Sequence, residues 1–586
     1  MSAAPALPRG PWSAAIEERL RRLDAERFGA RLAARDPTLW GPDPARQRVA
    51  ANRLGWLDSP ARMRAETPAL AGFAREVAAA EGDPHVVLLG MGGSSLAPEV
   101  LSLVFGPRDG GLPLTVLDDT GPAAVRAVAT ARDPGRTLFI VSSKSGGTVE
   151  VASFEKYFHE WVRAARGADG ATGAGRAFVA ITDPGSPLED LAARRGYRRV
   201  FLNAPDIGGR YSALSYFGLV PGALLGLDLD ALLASAAREA ATLDGAAREQ
   251  PGLLLGAALG ELALAGRDKL TLLLDPAFAP FGSWIEQLVA ESTGKDGRGI
   301  VPVVDEPLAG PERYGADRVF VTMTLAAHSR EGEPALAALE RAGHPVLRWS
   351  LESPLELGGE FLRWEIATAT AGAVLGVDPF DEPNVTEAKQ ATREALDAWL
   401  AEGRFPTREA VARRGDRAAY APAAAAADLG RRAGDPADVG AWARALLSLA
   451  RPGDYVALLA YLQRTPGRHQ RLEQLRVASR AMTGCATTLG YGPRYLHSTG
   501  QLHKGGADTG LFLLLTADDE GDEIPIPGER YGFGALRFAQ AAGDHLVLER
   551  RGRRVVRLHL GANVEESLDA LIETLGDPAL GRAPRT

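Results

Sequence analysis

The chain alternates short, continuously apolar runs with longer stretches in which apolar positions recur every three or four residues. "HVVLLG" (85–90), "PLTVLDD" (113–119), "TLFIVSS" (137–143) and "AFVAITD" (177–183) are runs of the first kind. "MGGSSLAPEVLSLVF", "GPAAVRAVATA" and "VEVASFEKYFHEWVRAAR" lie between them and carry helical spacing. A strand that is apolar throughout must be covered on both faces, and strands separated by helical segments run parallel. The pattern therefore predicts βαβ units in a doubly wound sheet. It recurs with "LTLLLD" (270–275), "RVFVTMTL" (318–325) and "PVLRWSLE" (345–352), which predicts a second sheet of the same kind. Ligands in such folds sit at the carboxyl ends of the strands.

The flanking regions read differently. Residues 1–80 predict an amphipathic helical segment behind a short loose tail. The α/β patterns occupy 81–245 and 246–403, and 404–450 is an Ala/Pro-rich stretch expected to form an irregular connection. From 451 to 586 strand-like sequence resumes in "GDYVALLAYL", and "DHLVLERRGRRVVRLHLG" predicts a hairpin turning at Arg551-Gly552, so this region is expected to be α+β. A chain of 586 residues exceeds what one hydrophobic core serves, and several domains are expected.

Composition narrows the partners. No segment has the roughly 18 uncharged apolar residues of a membrane span, nor an N-terminal apolar core of the secretory kind. A net charge of −8 argues against a general nucleic-acid binder, whose affinity needs clustered cations, but leaves a small anionic substrate open. Cys485 is the single cysteine, so the chain has no internal disulfide and no cysteine metal cage, which fits a reducing cytoplasm. Only six of the 66 basic residues are lysines. Lys156 and Lys269 read as ordinary surface cations. Lys144, Lys295, Lys389 and Lys504 sit in Gly/Ser/Thr-rich or acidic motifs, where a compact charge with three rotatable donors does what a guanidinium fork does not.

The motifs point to an anion. "LLGMGGSSLAPE" puts Gly90, Gly92, Gly93, Ser94 and Ser95 between a strand and a helix, where unpaired N–H groups and the helix dipole favour negative charge. Ser95 occupies the third glycine position of the dinucleotide fingerprint, which speaks against a nicotinamide cofactor. "IVSSKSGGTVE" repeats the design, with Ser143, Ser145 and Thr148 as phosphate donors, Lys144 as charge, and the amides near Gly146 and Gly147 beside them. "DIGGRYS" places Gly209 and Arg210 in a turn. In "WIEQLVAESTGK", Trp284, Gln287 and Glu291 share one helix face, and a carboxylate at a helix C-terminus is disfavoured by the dipole, so Glu291 suggests function.

"GMGGSSLAPE", "SSKSGGTVE", "GGRYS", "WIEQLVAESTGK" and "PFDEPNVTEAK" resemble, in that order, the signature segments of the phosphoglucose isomerase family, built from two sugar-isomerase (SIS) domains. With "DPTLW", "RLGWL" and "LHSTGQLHKGG" added, the chain looks most like the isomerase half of bacterial transaldolase/phosphoglucose isomerase fusions, a barrel for the transaldolase half being absent from this sequence. The resemblance implies that Gly93, Ser94, Ser143, Lys144, Ser145 and Thr148 hold a sugar phosphate. By the same resemblance Gly209 and Gln287 contact the sugar, Glu291 moves the proton between C1 and C2, Arg210 stabilises the enediolate, and Lys389 assists ring opening with a histidine. It implies neither metal nor redox cofactor. The family's histidine is missing from the segment after Glu291. His497 and His503 are the candidates, with His503 favoured by its likeness to the family's H-x-G-T segment. Ordinary members are dimers whose partner lends this histidine, whereas here the C-terminal region could supply it within one chain, so dimer and monomer both stay open. The expectation is a cytoplasmic glucose-6-phosphate isomerase. The alternatives are a non-catalytic sugar-phosphate-binding SIS protein and a related isomerase that also takes mannose 6-phosphate.

Overall fold

Three sheets arise from these patterns in the computed structural model, which describes residues 8, 10–79, 84–166, 173–330, 332–402, 405, 409–435, 437–519, 521 and 523–576. The first sheet comprises β1 (His85–Gly90), β2 (Leu114–Leu117), β3 (Thr137–Ser142), β4 (Phe178–Thr182) and β5 (Arg199–Leu202). They lie in the order β2-β1-β3-β4-β5, all parallel. Side chains alternate across a strand, and here both faces are apolar. Val86, Leu88, Ile140 and Ile181 enter one core while Val87, Leu89, Val141 and Ala180 enter another.

The second sheet holds β6 (Lys269–Leu274), β7 (Val301–Val303), β8 (Arg318–Leu325) and β9 (Val346–Leu351) in the order β7-β6-β8-β9, again all parallel. One continuous core joins the two sheets: Leu270, Leu272, Val319 and Val321 belong to the same cluster as Val86 and Ile140. The N-terminal helix Ser13–Ala25 feeds Ile16, Leu20 and Leu23 into it. The carboxyl ends of the first sheet's strands open onto a cleft whose facing wall is the C-terminal end of helix Phe281–Thr293, which follows β6.

The third sheet contains β10 (Ala412–Arg414), β11 (Arg417–Tyr420), β12 (Tyr455–Tyr461), β13 (Ala486–Tyr491), β14 (Gly510–Thr516) and β15 (Arg554–His559), in the order β10-β11-β15-β14-β12-β13. Its last four strands are parallel, and an antiparallel pair, β10 and β11, extends one edge. Two expectations change here. The stretch 404–450 is not irregular: its described residues form β10, β11 and the helices Ala423–Ala433 and Val439–Leu447. The expected hairpin at Arg551-Gly552 is instead the end of helix Phe533–Arg550 followed by β15, which runs parallel to β14. A short apolar run such as "HLVLE" satisfies either period. The 18-residue helix is decided by the buried face that Phe533, Leu536, Gln540 and Asp544 continue upstream of that run.

This region docks on both others. Phe533, Leu536 and Ala539 join the outer core of the first sheet, and Tyr455, Leu459 and Ala486 pack with Val301 and Val303 of the second. Among the described residues no helix is long and apolar enough to cross a membrane.

Candidate active site

A cleft of about 330 Å³ opens where the two parallel sheets meet. It is lined by Gly93, Ser94, Lys144, Ser145, Thr148, Gly209, Arg210, Gln287, Glu291, Lys389 and His497. Residues that the sequence spreads over roughly four hundred positions are therefore brought together. Ser143 lies just behind, its Oγ 3.2 Å from the Thr148 Oγ1.

The first wall is made of two loops. After β1 the chain turns through Gly92–Ser94 before the helix Leu96–Phe105. A Cβ on Gly93 would lie 2.1 Å from the Gly209 carbonyl oxygen, so this glycine lets the loop bearing Arg210 rest directly on the turn. After β3 the loop 143–148 leads into helix Val149–Arg166. Gly146 takes a φ of 64° and a Cβ there would meet the Leu188 backbone at 2.7 Å, so the turn needs glycine on both counts. Ser145 is exposed and its Oγ accepts from the Gly147 N–H at 3.3 Å. Lys144 is bonded to the Asp183 carboxylate and, at 3.2 Å, to the Pro205 carbonyl. Its ammonium thus sits at the cleft over a fixed counter-charge.

The second wall is helix Phe281–Thr293, anchored by Trp284, Ile285 and Leu288 in the core. Its polar face presents Gln287 and Glu291, one turn apart, with Gln287 Nε2 donating to Glu291 Oε2 at 3.2 Å. Arg210 is almost wholly buried. Its guanidinium donates to Ser292 Oγ at 2.8 Å, to the carbonyls of Pro379 (2.7 Å) and Asp381 (2.9 Å), and to Glu382 Oε2 (3.1 Å), and Glu291 Oε1 lies 3.5 Å from its Nη1. Burial raises the Glu291 carboxyl above the ordinary carboxylate range; Arg210 opposes this and Glu382 adds to it. Burial works against the guanidinium charge, yet Glu291 and Glu382 hold its pKa above the usual value. A base with raised affinity for a proton therefore stands beside a cation that stays charged.

Lys295, whose motif suggested a functional lysine, lies behind the cleft. Its buried ammonium holds the Asp378 carbonyl and, at 2.5 Å, both the carbonyl and the Oδ1 of Asp381. It thereby fixes the loop whose carbonyls grip Arg210. Burial brings its pKa down to about 8. Lys389, on helix Val385–Glu402, is exposed at the rim of the cleft. Lys504 lies outside, in a buried pair with Asp544 at 2.5 Å. Lys156 pairs with Glu529, and Lys269, expected at the surface, is fully buried against Asp268 at 2.6 Å.

The histidines separate clearly. His503 is sealed in the C-terminal core, its Nδ1 3.0 Å from the Tyr455 hydroxyl and its ring against Phe512; burial brings its pKa down to about 3. It does not reach the cleft, so the preference for His503 is corrected. His497 does reach it, carried on a short turn that both other units clamp. Arg494 pairs with Glu99 and, at 3.0 Å, with Asp118 of the first unit. Gln287 Nε2 donates 2.7 Å to the His497 carbonyl from the second.

Three groups in the site escaped the sequence reading. Glu150 accepts from His497 Nε2 at 2.9 Å. Burial alone would raise its carboxyl, but the His497 pairing and the nearby Lys389 hold it below the ordinary range. Glu382 bonds Arg210, and Arg53 of the N-terminal segment lines the cleft beside Lys144. Glu150 closes the motif "SSKSGGTVE" and Glu382 lies inside "PFDEPNVTEAK", so their positions were visible, but their partners were not.

Together fold and site define the class, a three-sheet α/β protein whose cleft sets glycine- and hydroxyl-rich loops beside a buried carboxylate and a buried guanidinium. Comparison with known proteins makes the class specific. The model of the phosphoglucose isomerase family matches residues 63–305. A glucose-6-phosphate isomerase of Thermus thermophilus is 31% identical over 419 residues, covering 63% of this chain and 97% of that protein. That of Rubrobacter xylanophilus is 30% identical over 365 residues, covering 53% and 82%. Among solved structures, a hypothetical protein from Thermus thermophilus superposes with a TM-score of 0.56 at 27% identity, over 67% of this chain and 99% of that one. A glucose-6-phosphate isomerase from Chlamydia trachomatis, 21% identical, shares the fold with a TM-score of 0.50 over 65% and 79%. The chain belongs to the phosphoglucose isomerase family.

Proposed function

We propose that this protein interconverts glucose 6-phosphate and fructose 6-phosphate. The observation that carries the reading is the Glu291–Arg210 pair, 3.5 Å apart and buried, facing a hydroxyl- and amide-lined loop across one cleft. The substrate phosphate takes its hydrogen bonds from Ser94, Ser145, Thr148 and the loop amides, with Ser143 fixing Thr148 from behind. Lys144 and Arg53 supply charge. The sugar then extends toward Glu291, held by Gln287 and the Gly209 backbone. His497 of the same chain and Lys389 handle the proton that opens the ring. Glu291 takes the proton from C2 and returns it to C1, so no net oxidation occurs and no electron acceptor is needed. Arg210, charged and already desolvated, stabilises the enediolate oxygen. A preorganised donor of that kind is worth about 10²–10³ in rate. Such a reaction belongs to glycolysis and gluconeogenesis, and the cytoplasm, where a single thiol stays reduced, is its proposed location.

An assay in which fructose 6-phosphate is converted and the product is consumed by glucose-6-phosphate dehydrogenase tests this reading. Turnover that is lost in Glu291→Gln, with fructose 6-phosphate still bound, supports it. Sugar-phosphate binding without turnover in the unaltered protein would leave a sensor instead.

A further inference from the structure

The His497–Glu150 pair does not end at Glu150. The carboxylate oxygen that accepts from His497 at 2.9 Å also accepts from Gln540 Nε2 at 2.7 Å. The Gln540 Oε1 in turn accepts from the Thr120 hydroxyl at 2.9 Å. Glu150, Gln540 and Thr120 are 4%, 2% and 0% exposed, so no solvent competes for these bonds. The chain of donors has one sense. Thr120 gives its hydrogen to the amide oxygen, which turns the amide nitrogen toward Glu150. An ionised carboxylate only accepts, so His497 carries a hydrogen on Nε2, and in the neutral ring Nδ1 is then the acceptor. The three groups come from three places: Thr120 from the turn after β2, Glu150 from the first turn of helix Val149–Arg166, and Gln540 from helix Phe533–Arg550 of the C-terminal region.

We propose that Gln540, oriented by Thr120, is a positioning residue for the isomerisation, keeping Glu150 anionic and His497 in the tautomer that presents Nδ1 to the sugar. This deepens the isomerase reading and rests on it. A buried carboxylate with one hydrogen bond too few recovers a proton more readily, because hydrogen bonds to the charged form are what hold it ionised. Once Glu150 is protonated it can donate to His497, and the ring loses its fixed hydrogen position. The other titratable groups acting on this carboxylate are Lys389, across the cleft, and the Tyr461 hydroxyl from β12. Arg537, one turn before Gln540, is engaged by Asp519 and faces Asp119.

The test is kcat in the full chain together with the 15N NMR tautomer signature of His497. Gln540→Leu should lower kcat by roughly tenfold to a hundredfold, the worth of one hydrogen bond to a charged group. KM should change little, and the His497 nitrogen signals should move from a single Nε2-protonated form toward a mixture of tautomers. Thr120→Val should move both quantities in the same direction by less, and Thr120→Ser should restore them. An unchanged His497 signature in Gln540→Leu, or equal losses in Thr120→Val and Thr120→Ser, overturns the proposal. Should Gln540→Leu not fold, the Thr120 pair decides alone. If instead the unaltered protein has no isomerase activity, the isomerase reading fails; if it is active and His497→Ala leaves the activity intact, that reading stands and the relay is overturned.

Discussion

Two buried carboxylates stand within one site and are driven in opposite directions. Glu150 lies in the first turn of helix Val149–Arg166, takes hydrogen bonds from His497 and Gln540, and is held below the ordinary carboxylate range. Glu291 lies two residues from the end of helix Phe281–Thr293, and burial beside Glu382 raises it despite the Arg210 charge. The N-terminal end of a helix favours negative charge and the C-terminal end opposes it. The first sheet thus offers its helix starts to anions, to Glu150 and, in the proposed function, to the substrate phosphate. The second offers a helix end, where a carboxylate is reluctant to stay ionised and ready to take a proton. One βαβ plan, used at opposite helix termini, carries one carboxylate held ionised and another readier to take a proton. Carboxylates pushed apart in this way mark divided roles.

The largest effect expected is at the raised carboxylate. Glu291→Gln should cut kcat by about 10²–10⁴ while calorimetric binding of fructose 6-phosphate survives. Normal turnover would dissolve the contrast. Arg210→Lys should cost about 10²-fold in kcat, since one ammonium cannot serve Ser292, two carbonyls, Glu382 and the oxyanion together. A wild-type rate would show that the fork is not needed. Thr148→Val acts on the binding side, so KM should rise by roughly tenfold or more, the cost of one hydrogen bond to a charged group, with kcat little changed; a fall confined to kcat would place the phosphate elsewhere. The smallest effect is in pH. Glu291 acts as base only when ionised, and its pKa is raised, so kcat/KM should fall on acidification from above the ordinary carboxylate range. Glu382→Gln removes a like charge and should move that acid limb to lower pH. A limb that moves up would reverse the assigned electrostatics.

Much of this was legible in the sequence. Apolar runs located seven of the nine strands of the two parallel sheets, because a strand buried on both faces has no polar alternative; β5, half exposed at a sheet edge, and the three-residue β7 gave no such run. The loops "MGGSSL" and "SSKSGG" announced an anion, because glycine and hydroxyl residues between strand and helix have few other uses. The C-terminal region was less legible. "DHLVLERR" fits a strand as well as a helix until the buried face running back to Phe533 is known. Lys269, expected at the surface, shows the same limit, since it is buried by partners that the local sequence does not reveal.

The sequence by itself determined the repeating strand–helix pattern, the glycine turns and the residue types of the cleft, because these depend on local period and backbone freedom. Only the tertiary structure decided between His497 and His503, joined Glu150 to Gln540 and Thr120, and set the protonation of Glu150 against that of Glu291. Six positions separate the two histidines along the chain, yet one lines the cleft and the other is sealed in a core. Charge state follows the surroundings of a group, and those surroundings come from three units of the chain packed together.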